Sequence, residues 1–139
     1  PLRRARESAG ILREALGLSE PVVVEEFREL DQGYWNGLRG EQVARFQPQQ
    51  FRTWEERPLE TRPPGGESLE ELRSRVREGL ERLREVVDGP VLVVGHKVVN
   101  SMLLHLAGEC AFDQVMDSLP ENAAVFEIQV NQVENRERC

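Results

Sequence analysis

The sequence has few cysteines and histidines, and each shortage excludes a class of protein. Its 139 residues include two cysteines, Cys110 and Cys139, and two histidines, His96 and His105. Neither cysteine has a CxxC partner or a histidine at ligand spacing, so we expect neither a disulfide framework nor a zinc site. Because reduced cysteines are typical of a reducing compartment, we expect a cytoplasmic protein.

Long apolar runs and an excess of positive charge are also absent. No run approaches the roughly 20 apolar residues that a membrane-spanning helix needs, so we expect no membrane partner. The net charge is −7, which disfavours nucleic acid as a partner. Lys97 is the one lysine beside 17 arginines, most of which we expect to form solvated pairs on helix surfaces.

The arrangement of apolar residues predicts a single α/β domain. The chain is 39% hydrophobic, which is enough for one core at this length. Helical spacing predicts helices over 2–16, 40–46, 49–56, 69–87 and 98–107, and apolar runs predict strands over 22–24, 91–94 and 123–130. This order favours a layered α/β fold with a mostly parallel sheet.

Two further segments have their own character. Residues 38–64 lie within a Gly- and Pro-rich region and resemble a lid over a site, with Phe46, Phe51 and Trp54 as apolar anchors. Ser68 signals a helix start, and Glu71 and Arg75 have the spacing of a pair on that helix. Residues 131–139 form a polar tail that we expect to be frayed.

His96 is the first candidate for chemistry. It follows the predicted strand 91–94 and precedes a helix, at the sheet edge where ligands collect in α/β folds. The N-terminus of that helix offers backbone N–H groups to an anion, and Lys97 either adds charge there or points to water. The alternative for His96 is a structural histidine that caps a turn.

Three other places are weaker candidates. Glu29 follows the predicted strand 22–24 among aromatic residues, where a carboxyl can become a proton donor, or it is a surface carboxylate paired with Arg28. Arg4, in the first turn of the opening helix, is either a phosphate clamp or a solvated arginine. The turn at 64–68 allows a ligand to approach its backbone closely.

These pieces, taken in order, resemble the histidine phosphatase superfamily, whose fold is that of the phosphoglycerate mutases. The blocks that carry the resemblance are Pro-Leu-Arg-Arg-Ala at 1–5, Glu-Leu-Asp-Gln-Gly-Tyr-Trp-Asn-Gly at 29–37, Gly-Glu-Ser at 66–68 with Arg75 downstream, and Val-Val-Gly-His at 93–96. The resemblance implies a three-layer α/β sandwich and a single domain over 1–139. The short lid points to the phosphatase branch, such as α-ribazole phosphatase and broad-specificity phosphatases.

The resemblance also implies a reaction and the residues that perform it. It implies hydrolysis of small phosphorylated metabolites through a phosphohistidine, without a metal or other cofactor. His96 would hold the phosphoryl group, Arg4 would bind phosphate oxygens and Glu29 would donate a proton to the leaving group. The residues that would bind the substrate are Gly66, Glu67, Ser68, Trp35 and Lys97.

One departure from the family bears on activity. The family's Arg-His-Gly block, which supplies the nucleophilic histidine, occurs nowhere in the sequence. By family topology the first two strands are missing too, so the domain is incomplete and we expect a fragment of a longer chain that is inactive by itself. The alternatives are a catalytically dead relative that binds phosphate or a protein, and a homodimer that pairs the open sheet edges.

Overall fold

The computed structural model of the protein describes residues 1–129, and this part contains five α-helices. They are α1 (Arg3–Leu16), α2 (Gly40–Phe46), α3 (Pro48–Glu56), α4 (Leu69–Val86) and α5 (Lys97–Leu106). Short 3-10 turns lie at Glu25–Phe27, Gly33–Trp35 and Phe112–Gln114. The five predicted helices are therefore confirmed to within one residue at each end.

The longest helix, α4, begins where its sequence predicts. Ser68 is the N-cap: the backbone N–H of Glu71 donates to its hydroxyl at 3.2 Å, and the Glu71 carboxylate accepts from the Ser68 N–H at 2.8 Å. This reciprocal pair satisfies two N–H groups that an uncapped helix leaves without partners. It also holds the pKa of the Glu71 carboxyl below its ordinary value.

The hydrophobic core lies where α4 packs against α5 and the 27–35 loop. Its members are fully or nearly buried and come from the 27–35 loop, from α2 to α5 and from residue 115: Phe27, Leu30, Trp35, Val43, Trp54, Leu69, Leu72, Val76, Leu80, Val98, Val99, Met102, Leu103 and Val115. Gly79 lets the 25–27 turn approach α4, because a Cβ there would lie 2.9 Å from the Phe27 ring.

Helices α2 and α3 are tied to this core through aromatic side chains. Trp54 is buried, and Phe51 meets the Trp35 ring edge-to-face with 5.8 Å between centroids. Phe46 is exposed, so its predicted role as an anchor is wrong. The segment 38–64 is thus fastened to the core at these points, and its role as a lid stays a prediction.

The predicted sheet is not confirmed. Within residues 1–129 no strand is assigned, and 22–24, 91–94 and 123–129 run without regular secondary structure. The physical reason is pairing: a strand is stable only beside another strand, and cavities separate these segments. Residue 130 and the predicted tail 131–139 lie outside the described residues.

Candidate functional site

His96 occupies the junction between the 91–95 segment and α5. It is the N-cap residue, with an extended backbone, yet its side chain makes no capping hydrogen bond. Only 7% of the residue is exposed, and its Nε2 has no hydrogen-bond partner among the described residues. The His96 side chain therefore does not cap α5, and a buried ring nitrogen is left without a partner within residues 1–129.

A cavity of about 1170 Å³ lies beside His96. Arg4 and Ser8 of α1 line it, as do Glu29 and, at the start of α5, Lys97 and Asn100. Its remaining walls include the segments 89–95 and 120–128. The structure thus places the three predicted catalytic residues, which are far apart in sequence, around one space.

The carboxylate of Glu29 binds the N-terminus of α5. Its Oε1 accepts from the backbone N–H groups of Leu30 at 3.0 Å and Val99 at 3.3 Å, and its Oε2 accepts from that of Val98 at 3.3 Å. Because a helix N-terminus carries partial positive charge, it stabilises a carboxylate there. The predicted anion position is therefore occupied by the protein's own Glu29, and Arg28 pairs instead with Glu25 at 3.1 Å.

The charges at the cavity act on His96 in opposite directions. Burial lowers the pKa of the His96 imidazole, the nearby charge of Arg4 lowers that pKa further, and Glu29 raises it. The net direction is downward, so the ring is neutral at pH 7 in the free protein. A neutral imidazole offers one N–H and one lone pair to a ligand.

Four of the predicted substrate-binding residues lie away from this cavity. Trp35 is buried, and its indole N–H donates to Gln47 Oε1 at 2.7 Å. Glu67 forms an ion pair with Arg75, although the sequence favoured Glu71 as that partner. Ser68 caps α4. The roles that the resemblance implied for them stay predictions, while Lys97 does line the cavity.

Gly66, the fourth, joins two of the sequence blocks. A Cβ on Gly66 would lie 2.3 Å from the Asp31 carbonyl oxygen, and one on Gly33 would lie 2.3 Å from that of Pro64. The backbone N–H of Tyr34 donates to the Pro64 carbonyl at 2.9 Å. These glycines therefore allow the loop at 31–34 to pack closely against the loop at 64–66. Glu29 lies just before the first of these loops in the chain.

Asn100 is a cavity residue that sequence reasoning missed. It lies one helical turn after His96, and its backbone N–H donates to the His96 carbonyl at 2.7 Å. Its Oδ1 would lie 2.3 Å from a Cβ on Gly95, so Gly95 makes room for this side chain. The i, i+4 spacing from His96 is the sequence signal that could have identified it.

A second cavity, of about 940 Å³, lies on the other side of the 90–94 segment. It is bordered by α1, by 18–24 and by 90–94. The 90–94 segment thus has open space on both flanks, and Leu92 is 50% exposed.

Residues 1–129 hold no cluster of acidic, histidine and cysteine side chains able to bind a metal ion. In this same range no helix has the length and apolar character to cross a membrane.

Comparison with known proteins identifies the family of this chain and several relatives. The model of the histidine phosphatase superfamily (branch 1) matches residues 1–138. A bifunctional protein of Mycobacterium tuberculosis is 40% identical over 108 residues, which are 77% of this chain and 29% of that protein. Phosphoserine phosphatase 1 of Hydrogenobacter thermophilus is 36% identical over 99 residues, 70% of this chain and 46% of that one.

A solved structure shares the fold. The α-ribazole phosphatase of Shigella flexneri superposes with a TM-score of 0.72 at 20% identity, covering 86% of this chain and 59% of its own. The chain therefore spans about a third to three fifths of the length of these three proteins.

Proposed function

The chain belongs to the histidine phosphatase superfamily, and from this premise we propose that it carries the phosphate-binding half of a site that hydrolyses small phosphomonoesters. The observation that carries the proposal is the buried, unpartnered Nε2 of His96 on the cavity that Arg4 and Glu29 also line. A buried polar atom without a partner is rare unless a ligand completes it.

The side chains that line the cavity suit the needs of phosphoryl transfer. The transferred group spreads negative charge over its oxygens, so a fixed positive cradle lowers the barrier. Arg4 supplies a forked guanidinium to those oxygens, His96 supplies a ring N–H, and Lys97 adds charge at the rim. In the proposed reaction the Glu29 carboxylate first takes a proton from water and then gives it to the leaving alcohol oxygen as the bond of that oxygen to phosphorus breaks.

None of these residues is the nucleophile of the proposed reaction. The sequence has two histidines, and His105 lies away from the cavity with its Nδ1 at 3.1 Å from the Cys110 carbonyl oxygen. In the proposed reaction a further histidine attacks phosphorus, forms an N–P bond and later gives the phosphoryl group to water. We place that histidine on an extended segment between 91–94 and 121–128, beyond the 139 residues.

The first test measures phosphate binding. We expect isothermal titration to show phosphate or vanadate binding to the 139-residue chain. In Arg4→Gln the affinity falls about 10- to 100-fold, because a charge-assisted hydrogen bond is lost. Arg3→Gln is the matched control, since Arg3 pairs with Glu7 in the same helical turn at 2.7 Å. Equal affinity in wild type and Arg4→Gln contradicts the proposal.

The second test asks for turnover. The 139-residue chain is mixed with an apolar peptide that ends in the family's Arg-His-Gly, and phosphate release from a panel of phosphomonoesters is followed. We expect release with this peptide, none with a peptide that has alanine at the histidine, and none in His96→Ala.

A second candidate function is phosphate binding without hydrolysis. The absence of any third histidine from the sequence favours it. Phosphate binding that persists while no peptide restores turnover supports this candidate and contradicts the phosphatase.

A further inference from the structure

Arg75 of α4 holds the backbone on the N-terminal side of Glu29. Its Nη1 donates to the carbonyl oxygens of Glu26 and Arg28 at 2.6 and 2.7 Å, and its Nη2 donates to that of Glu29 at 3.2 Å. Its Nε, at 2.9 Å, and its Nη2 donate to the two carboxylate oxygens of Glu67. A guanidinium has five N–H donors, so each one has a partner here.

Glu67 holds the backbone on the other side of Glu29. Its Oε1 accepts from the Asp31 N–H at 2.8 Å, and its own N–H donates to the Asp31 carbonyl at 3.0 Å. The side chains of Arg75 and Glu67 are 24% and 16% exposed, so water competes weakly for these bonds. The pair therefore fixes the chain from residue 26 to residue 31 at both ends.

The carboxylate of Glu29 itself receives nothing from this pair. Within residues 1–129 it accepts only from backbone N–H groups, two of which belong to Val98 and Val99 at the start of α5. Its place beside His96 thus depends on the course of the 26–31 backbone. That backbone is held by Arg75 and Glu67, neither of which lines the cavity.

We propose that Arg75 and Glu67 are a positioning pair for Glu29. They hold its backbone so that its carboxylate meets the α5 N-terminus at the cavity, and the proton-donor role of that carboxylate rests on the function proposed above. A simple structural ion pair would stabilise the whole domain alike. A positioning pair acts first on the contact between Glu29 and α5.

Arg75→Lys separates these two roles. An ammonium is a point charge with three donors, so it retains the charge but cannot hold three carbonyls and a bidentate carboxylate. We expect NMR hydrogen exchange in the 139-residue chain to show the Val98 and Val99 amides exchanging about tenfold faster. The Glu29 carboxyl carbon resonance shifts as well, while the amides of Leu72 and Val76 keep their rates.

Arg82→Lys is the matched control on the same helix. Arg82 binds the carboxylate of Glu26 at 2.6 Å, and no bond to the 28–31 backbone is seen in the part of the chain described. We expect this variant to leave Val98 and Val99 unchanged. Glu67→Gln provides the second variant, with faster exchange at the same two amides and a smaller effect.

Two results would overturn the proposal. One is an unchanged exchange rate at Val98 and Val99 in Arg75→Lys. The other is an equal acceleration at every amide of α4 and α5, which is the signature of a structural pair. Phosphate titration of the same samples is a separate readout: failure of the wild type to bind phosphate removes the proposed function, while local acceleration still supports the positioning pair.

Discussion

The two sides of this molecule are built to different degrees. On one side α4, α5 and the 27–35 loop supply most of the buried apolar side chains, with Leu72 and Met102 at 0% exposure. On the other side α1 buries only Ala5, and the apolar side chains of 22–23, 91–93 and 125 are exposed. Apolar residues are present on both sides, and they form a core only where another element packs against them.

The candidate site lies on the boundary between these two sides. His96 and Glu29 are fixed from the packed side, through α5 and through the backbone that Arg75 holds. Arg4 comes from the open side, on a helix with one buried side chain. The histidine and carboxylate are therefore held by packed elements, whereas Arg4 projects from a helix with little packing.

Truncating one leucine on each side tests most directly whether the two sides differ in packing. Leu72→Ala removes a fully buried side chain, and we expect it to lower the free energy of unfolding by about 2–5 kcal/mol. Leu92→Ala removes one that is 50% exposed, and we expect a loss below about 1 kcal/mol. Urea denaturation followed by tryptophan fluorescence measures both values. Equal losses would show that the 90–94 segment is packed in solution.

The loop contact behind Glu29 gives the next largest effect. Gly33 has a φ of 55°, and a Cβ there would lie 2.3 Å from the Pro64 carbonyl oxygen, so we expect Gly33→Ala to lose about 2–3 kcal/mol. Gly37→Ala isolates the backbone conformation, because Gly37 has a φ of 80° and open space around it. We expect the control to lose about 1 kcal/mol. If both variants lose the same amount, close approach does not explain Gly33.

The sequence was sufficient for the helices because their signals are local. Ser68 and Glu71 mark the start of α4, and Gly17 ends α1 with a φ of 64°. The predicted strands are not assigned within residues 1–129. A strand depends on neighbouring strands, and the local sequence carries no information about those neighbours. The exposure of Phe46 was likewise decided by packing.

The site shows the same division. His96, Glu29 and Arg4 were found through motif blocks, and the structure places all three on one cavity. The hydrogen bonds of Arg75 could not be predicted from the sequence. Its partners include backbone carbonyls 46 to 49 residues away, and every residue has such a carbonyl. The same holds for Glu29, whose acceptor bonds are to the backbone of α5.

A smaller effect tests the start of α4, at the edge of the packed side. Ser68→Ala removes the N-cap hydroxyl, and we expect the free energy of unfolding to fall by about 1 kcal/mol. Ser74→Ala is the control, because Ser74 lies exposed in the middle of the same helix, where alanine has the higher helix propensity. The capping role would be contradicted by a Ser68→Ala variant as stable as the wild type.

The smallest expected effect is the pH dependence of stability that His96 contributes at the boundary between the two sides. Burial, and then the charge of Arg4, lower the pKa of His96 below its ordinary value of 6.5, so in acid the unfolded chain binds a proton that the folded chain refuses. The contribution of His96 therefore weakens the fold as the pH falls through 6.5 and reaches its full unfavourable value below the folded pKa. In His96→Gln, which cannot titrate, this part of the pH dependence disappears.

Urea midpoints at pH 7.5 and pH 5.5, for wild type and His96→Gln, measure that difference. We expect the wild type to lose more stability than His96→Gln over this interval, because only the wild type carries the imidazole. Arg4→Gln refines the result: removing the positive charge lets the pKa of His96 rise, so this variant falls between the other two. If Arg4→Gln loses as much stability as the wild type between pH 7.5 and pH 5.5, α1 does not hold Arg4 against His96 in solution. The open side would then contribute no charge to the site.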